Sequence, residues 1–179
     1  EGAVQLKLPV ETKSNTTPRG SYLDAMSPLT VTLGVQNVSF VAQAVDWIPE
    51  SLFQIITAAF RHRGLSFVRI LQRCPEFVGN MFEPWVHDPQ RMLMLTHENG
   101  IKVSPALQKI YRNQVEHDPS NIDRAREIAS SEDPIPVGIL YRNPDVPCYE
   151  DLRRAGMLRT ADSIRSTLES EFDKFTVWP

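Results

Sequence analysis

The stretch VSFVAQAVDWIPESLFQIITAAFRHRGLSFVRILQ (residues 38–72) decides the fold class of this protein. Its first part, 38–46, is rich in valine and phenylalanine and has few charges, which is typical of a strand covered on both faces in a parallel sheet. Its last part, 65–72, is similarly apolar. The stretch therefore predicts two strands joined by one longer segment.

The segment between the two strands, 48–64, has the spacing of an amphipathic helix. Pro49 and Glu50 suit a first helical turn, and Gly64 is a common stop signal. A strand, a crossover helix and a second strand wind right-handedly in nearly all cases, which makes the two strands parallel neighbours. We predict an α/β fold with a parallel sheet. The residues expected on the buried face of the helix are Leu52, Ile55, Ile56, Ala59 and Phe60.

Shorter signals flank this unit on both sides. PLTVTLGVQ predicts a short helix that begins with Ser27 as N-cap and Pro28 in the first turn. EHDPSNIDRAREIA predicts a second helix, capped by Asp118 or Ser120, whose charges form a solvated face. IPVGILY (135–141) predicts a further strand.

The carboxyl-terminal part, 81–179, holds only that one convincing strand. A stretch of this kind buries too little apolar surface to offset its chain entropy, so we expect it to pack over the rest of the protein and a partner. The apolar run at 92–95 either meets that partner or packs in the core against 38–71, and the sequence leaves both open. The aromatic and apolar residues of the tail suggest a docking end: Phe172, Phe175, Val177 and Trp178.

Composition excludes several classes of protein. The chain has 179 residues, 41% of them hydrophobic, and a formal net charge of −3, so a general nucleic-acid surface is not expected. No apolar stretch approaches the length of about 20 residues that crosses a bilayer, and we expect a cytoplasmic protein without a membrane partner. Two cysteines favour thiols in a reducing compartment, with a Cys74–Cys148 disulfide as the minor alternative.

Cys74 is the candidate site residue, since it follows the second predicted strand and precedes Pro75. Open α/β sheets bind ligands outside the carboxyl ends of their strands. A free cysteine is also often a small buried hydrophobe, so structural filler, metal ligand and nucleophile all stay open here. The four histidines are scattered without a pattern that would supply a base, and we expect each at the surface or at a helix cap.

Two stretches together resemble one protein family. HRGLSFVRILQRCPEF (62–77) resembles the part of 2-oxoacid:ferredoxin oxidoreductases in which a strand ends in a cysteine followed by proline. Residues 107–152 are similar to the carboxyl-terminal region of the thiamine-pyrophosphate-binding beta subunit, where a helical stretch precedes a proline-flanked strand and a tyrosine-acid pair. The resemblance covers about residues 28–152, as far as periodicity and motif agree.

The resemblance implies a specific site and domain organisation. Cys74 corresponds to the last of four ligands of a [4Fe–4S] cluster, while the other three cysteines, the Gly-Asp-Gly motif and its downstream asparagine are absent from this chain. The chain is therefore expected to be the carboxyl-terminal part of a beta subunit, with thiamine pyrophosphate and Mg²⁺ bound mainly by residues outside it. Residues 1–80 would complete a thiamine-diphosphate-binding α/β domain, and 81–179 would be a mostly helical or irregular extension.

The implied activity is the oxidative decarboxylation of a 2-oxoacid to an acyl-CoA and CO2, with electrons passing through the cluster to ferredoxin. The implied partners are the amino-terminal half of the beta subunit, an alpha-type subunit, ferredoxin, coenzyme A and the 2-oxoacid. The alternative is a non-catalytic α/β interaction module in which Cys74 is structural. Cys148 is expected to be an ordinary, partly exposed thiol.

Overall fold

The computed structural model describes residues 13, 18–20, 25–73, 81–98, 100–131, 133–155 and 160–176. The described residues up to Pro147 form one compact unit, and those from Cys148 onward form a second. The second unit holds α6 (Tyr149–Arg154) and α7 (Ala161–Asp173). The elements of the first unit are, in chain order, α1 (Pro28–Leu33), β1 (Phe40–Val45), α2 (Pro49–Arg61), β2 (Ser66–Leu71), α3 (Glu83–Val86), a 3-10 turn (Pro89–Arg91), β3 (Met92–Thr96), α4 (Pro105–Ile110), β4 (Gln114–Glu116), α5 (Ile122–Ala129) and β5 (Ile135–Arg142).

The predicted strand, helix and strand of residues 38–72 are all present. β1 and β2 are parallel and in continuous register, from Phe40 opposite Ser66 to Val45 opposite Leu71. Every residue of β1 is buried, as expected for a strand covered on both faces. The helix between them, α2, packs against both strands. The predicted α/β class is confirmed.

The five strands form one sheet in the order β2-β1-β5-β3-β4. β5 runs antiparallel to β1 but parallel to β3, and β3 is parallel to β4. Three of the four pairings are therefore parallel. Strands β1 and β2 run in one direction, and β3, β4 and β5 run in the opposite direction. The carboxyl ends of β1 and β2 therefore lie at one edge of the sheet, and those of β3, β4 and β5 lie at the opposite edge.

The apolar run at 92–95 belongs to strand β3, which lies inside the sheet between β5 and β4. Met92, Met94 and Leu95 are each at most 2% exposed. Core packing, one of the two alternatives for this run, is confirmed, and burial of these residues only in an assembly is wrong. The sequence pattern does not predict β4, because a strand of three residues is too short to show a two-residue repeat.

Strands from before and after residue 80 share the sheet, and the described residues form two compact units that separate at Pro147 and Cys148. The expected roles of 1–80 and 81–179 stay predictions. In the second unit, the apolar residues of α7 and its end are exposed: Ile164, Leu168, Phe172 and Phe175. Val177 and Trp178, also expected to dock, lie outside the described residues.

Helix α2 buries a narrower stripe than its apolar spacing predicts. Ile55 is fully buried, whereas Ile56 is 46% and Phe60 89% exposed. Successive helical residues are about 100° apart, so Phe60 lies roughly 140° around the helix from Ile55. Phe53, which is 72% exposed, lies on the same outer side. We call Phe53, Ile56 and Phe60 the outer apolar face of α2.

Helix caps agree with the sequence in one case and differ in another. Ser27 caps α1, with its hydroxyl accepting from the backbone N–H of Thr30 at 3.5 Å. The cap of α5 is Asn121, whose Oδ1 accepts from Arg124 N–H at 3.0 Å, and not Asp118 or Ser120. Those two residues bond to each other in the preceding turn, which leaves neither side chain for the helix.

The core lies on both faces of the sheet. One apolar cluster contains Phe40, Ile55 and Met94, and the other contains Val41 and Leu95 together with the inner residues of α1 and α5. Adjacent strand residues point to opposite faces, so Phe40 and Val41 belong to different clusters. Within the described residues, no helix combines the length and apolar character needed to cross a bilayer.

Candidate functional site

The chain leaving β2 is tied to the chain leaving β1. The Asp46 carboxylate accepts hydrogen bonds from the backbone N–H of Arg73 at 3.2 Å and from Arg73 Nε at 3.1 Å. Asp46 N–H donates to the carbonyl of Leu71 at 3.0 Å. These contacts hold the carboxyl ends of two neighbouring parallel strands together, immediately before the predicted site residue.

Cys74 itself, the predicted cluster ligand, lies outside the described residues. The strand before it is described, and β2 ends at Leu71 as the prediction requires. The metal-ligand role of Cys74 stays a prediction. Among the residues that the structure describes, no group of three or more histidine, cysteine, aspartate or glutamate side chains could hold a metal ion.

A polar cluster lies at the same edge of the sheet, where β3 and β5 begin. The Asp133 carboxylate accepts from Arg91 Nε at 3.0 Å and from Trp85 Nε1 at 3.3 Å. The Arg91 guanidinium also lies over the Trp85 ring, 4.6 Å from its centroid. This stacked pair lies where the chain enters β3, and it gives Trp85 a packing role.

A cavity of about 360 Å³ opens at the other edge of the sheet, where β3, β4 and β5 end. His97 directly follows β3, His117 directly follows β4, and Arg142 is the last residue of β5. Because these strands are parallel, their ends meet at one place. We call this cavity the histidine pocket. Its polar lining comprises His97, Glu98, Glu116, His117, Asp118 and Arg142.

The two imidazoles of the pocket are buried and fixed by backbone carbonyls. His97 Nδ1 lies 2.8 Å from the carbonyl oxygen of His117, and His117 Nε2 lies 2.6 Å from that of Leu140. A carbonyl oxygen only accepts, so each of these ring nitrogens carries a proton. The ring centroids are 5.8 Å apart. The two bonds set the tautomers of both rings.

Each imidazole keeps one ring nitrogen without a partner. His97 Nε2 and His117 Nδ1 are buried and make no hydrogen bond within the described structure. The residues are only 7% and 4% exposed. In the neutral ring such a nitrogen is an acceptor, and leaving it buried and unpaired costs about 1–3 kcal/mol. Both imidazoles line the pocket, and each has a buried acceptor atom without a hydrogen-bond partner.

Burial also sets the charge of the pocket. It lowers the pKa of His97, and the nearby His117 and Arg142 act in the same direction, whereas the His117 carbonyl and Asp118 oppose it. The backbone N–H and hydroxyl of Ser120 lower the pKa of Asp118. At neutral pH His97 is therefore neutral and Asp118 ionised.

The histidines were expected at the surface or at helix caps, and this is wrong for His97 and His117. His62 does occupy the cap position of α2, but it is buried too, with its ring centroid 5.3 Å from that of Phe40. Only His87, at the end of α3, is an exposed cap. The missed signal for His97 was position, because MLMLTH places this histidine at the end of an apolar run; NQVEH contains a single apolar residue and gives no such signal for His117.

Cys148 matches its expectation. It has a free thiol of intermediate exposure and precedes the first turn of α6. Its side chain makes no capping hydrogen bond. Among the described residues it therefore has no assigned chemical role.

The fold defines an α/β protein with a mixed sheet, and comparison with known proteins identifies its relatives. Residues 107–155 match the family described as the C-terminal part of the pyruvate ferredoxin oxidoreductase beta subunit. A 2-oxoacid:ferredoxin oxidoreductase subunit beta from Sulfolobus sp is 27% identical over 143 residues, which cover 80% of this chain and 44% of that protein. The subunit beta of 2-oxoacid:ferredoxin oxidoreductase 2 from Aeropyrum pernix is 26% identical over 151 residues, covering 84% of this chain and 46% of that protein.

A solved structure agrees at the level of the fold. It is a 2-oxoglutarate:ferredoxin oxidoreductase from Magnetococcus marinus with 2-oxoglutarate, coenzyme A and succinyl-CoA bound, and it matches with a TM-score of 0.58 at 23% identity, covering 89% of this chain and 50% of that chain. The resemblance that the sequence indicated is confirmed: this chain is similar to the beta subunits of 2-oxoacid:ferredoxin oxidoreductases. It spans about half the length of the curated relatives it matches.

Proposed function

We propose that this chain is the carboxyl-terminal part of the beta subunit in a thiamine-dependent 2-oxoacid:ferredoxin oxidoreductase, acting in the cytoplasm. The complete assembly converts a 2-oxoacid and coenzyme A to an acyl-CoA and CO2 and reduces ferredoxin. The observation that carries the proposal is the sequence match to beta subunits over about four-fifths of the chain. The fold likeness to a solved member supports it.

The chain alone does not fit the iron–sulfur cofactor that the family implies. A [4Fe–4S] cluster held by cysteine needs four thiolates, and this chain contains two cysteines. In the proposal Cys74 supplies one ligand at the strand end, and the others come from the remainder of the beta subunit. Thiamine pyrophosphate and Mg²⁺ are likewise held mainly by that remainder, because the chain lacks the Gly-Asp-Gly motif.

The exposed outer apolar face of α2 supports the proposal that further protein packs against this chain. Phe53 and Phe60 are largely exposed on one side of this helix. Contiguous exposed apolar side chains often mark an interaction site. The curated relatives are about twice as long as the part matched here, so the amino-terminal half of the beta subunit is the proposed occupant. The alpha-type subunit and ferredoxin complete the proposed assembly.

The first prediction tests Cys74 in the complete assembly. Cys74→Ser should lower the iron and acid-labile sulfide content and remove or convert the electron-paramagnetic signal, because a serine oxygen is a poor substitute for a thiolate on iron. Cys148→Ser is the matched control and should retain both. The measurement is metal analysis and spectroscopy on the anaerobically purified complex.

The same experiment separates the alternative function. In a non-catalytic α/β interaction module Cys74 is structural, and both serine variants would behave alike. Full iron content and an unchanged signal in Cys74→Ser would contradict the ligand role. An assembly that has no iron even with both cysteines intact would favour the interaction module.

A further inference from the structure

We propose that the histidine pocket binds a small organic cation that carries N–H donors, such as an alkylammonium or a guanidinium group. The inference does not depend on the proposed function, since it uses only residues at the edge of the sheet opposite to the strand end that precedes Cys74. It is argued from the hydrogen-bonding capacity, the charge and the size of the pocket.

The buried wall of the pocket offers acceptors. His97 and His117 each donate one N–H to a backbone carbonyl, which leaves His97 Nε2 and His117 Nδ1 as buried acceptors without a partner. Neutral acceptors pair with N–H or O–H donors and not with carboxylates or phosphates. A ligand matched to these atoms therefore has donors.

The exposed wall of the pocket is acidic. Glu98, Glu116 and Asp118 are exposed and bring three carboxylates, against the single guanidinium of Arg142. Asp118 is held in its ionised form by hydrogen bonds from Ser120 N–H at 2.9 Å and Ser120 Oγ at 2.8 Å. The excess of negative charge favours a cation over an anion.

Size and ligand geometry argue for an organic group and against a bare metal ion. A cavity of about 360 Å³ has the volume of a small-molecule site. Within the described part of the chain, the side chains of this region do not form a group of three that could coordinate a metal. Ile139, which also lines the pocket, adds apolar surface for the carbon part of such a ligand.

The test is a titration of the ¹⁵N-labelled full chain with methylguanidinium chloride at neutral pH, observed at the imidazole nitrogens. The expected result is a saturable shift of the His97 and His117 signals at millimolar ligand. Glu116→Gln should weaken binding about two- to fivefold, and Arg142→Gln should strengthen it by a similar factor, as for single exposed charges. Both side chains are exposed, so the fold should tolerate either change.

Three outcomes would contradict the proposal. Tetramethylammonium has the charge but no N–H donor, and binding as strong as that of methylguanidinium would remove the role of the imidazole acceptors. Saturable binding of acetate or phosphate in its place would overturn the choice of a cation. The absence of any saturable shift would show that the cavity holds only water.

Discussion

Gly138 lies inside the buried strand β5 because β3 passes too close for a side chain. Its φ is 141°, in the region that favours glycine. A Cβ atom there would lie 2.7 Å from Leu95 Cβ and 2.9 Å from the Leu95 carbonyl oxygen. The close contact between β3 and β5 also brings together the strand ends that carry His97 and Arg142, so this glycine supports the histidine pocket.

We therefore expect Gly138→Ala to lower the free energy of unfolding by about 2–4 kcal/mol, through overpacking and an unfavourable backbone conformation. Urea denaturation measures the change. Gly34→Ala is the control, because Gly34 has a helical conformation with φ of −85° and should change stability by less than about 1 kcal/mol. Equal effects of the two substitutions would contradict the contact between Gly138 and Leu95.

The buried histidines make stability depend on pH. Burial, followed by the charge of Arg142, lowers the pKa of His62, and burial lowers that of His97. Both pKa values in the folded chain lie below the ordinary histidine value of 6.5. The free energy of unfolding therefore has its full value above pH 6.5 and decreases as the pH falls below it. The lowered pKa of Asp118 acts only at still lower pH.

The free energy of unfolding should therefore fall between pH 7.5 and 5, with a slope of up to about 1.4 kcal/mol per pH unit for each histidine. Denaturation at several pH values measures the slope. His97→Gln should reduce it, because the substitution removes one of the two imidazoles whose pKa is lowered by burial. If stability were constant across this range, neither the His62 nor the His97 imidazole would be held neutral by burial.

At the scale of an element, helix α2 carries two sets of apolar residues, one for the core and one exposed. Its inner side, with Ile55 at the centre, packs on the sheet, while its outer apolar face is exposed. The two sides lie within one amphipathic pattern in the sequence. Substitutions on this one helix can therefore distinguish folding from assembly.

We expect Phe60→Ser to change the stability of the chain by less than about 0.5 kcal/mol, since Phe60 is 89% exposed. The same change should weaken binding to the amino-terminal half of the beta subunit by at least about tenfold, if that half covers the outer apolar face. Calorimetric titration of the two halves measures the affinity.

The matched substitution on the inner side is Ile55→Ala. It should cost about 2–5 kcal/mol of folding stability, because Ile55 is fully buried. An unchanged affinity in Phe60→Ser would assign the outer apolar face to something other than the amino-terminal half.

At the scale of the whole molecule, the chain spans about half the length of the beta subunits to which it is similar. Two apolar clusters cover the two faces of the sheet in the first unit. A folded unit of this kind should be stable enough to test for cofactor binding by itself. The lack of a Gly-Asp-Gly motif predicts the result of that test.

We expect no measurable heat when the chain alone is titrated with thiamine pyrophosphate and Mg²⁺, because Mg²⁺ in such sites needs a protein carboxylate as well as phosphate oxygens. Heat should appear when the amino-terminal half is supplied. Saturable binding by the isolated chain would contradict its interpretation as the carboxyl-terminal part of the subunit.

The sequence by itself determined several local elements and the resemblance to one family. The strands within 38–72, helix α2 and strand β5 each have a pattern long enough to be recognised, since periodic burial is written into consecutive residues. The cap of α1 was also predictable, because Ser27 and Pro28 act on their immediate neighbours. The resemblance to beta subunits relied on these same continuous stretches.

Only the tertiary structure decided which edges and faces these elements share. The antiparallel pairing of β5 with β1, the insertion of β3 into the sheet and the outward turn of Phe60 all depend on contacts between residues far apart in the chain. His97 and His117 are 20 positions apart, and they meet because β3 and β4 are parallel and end together. A site built from the ends of several strands has no continuous signature in the sequence, and this is why the histidine pocket appeared only in the folded chain.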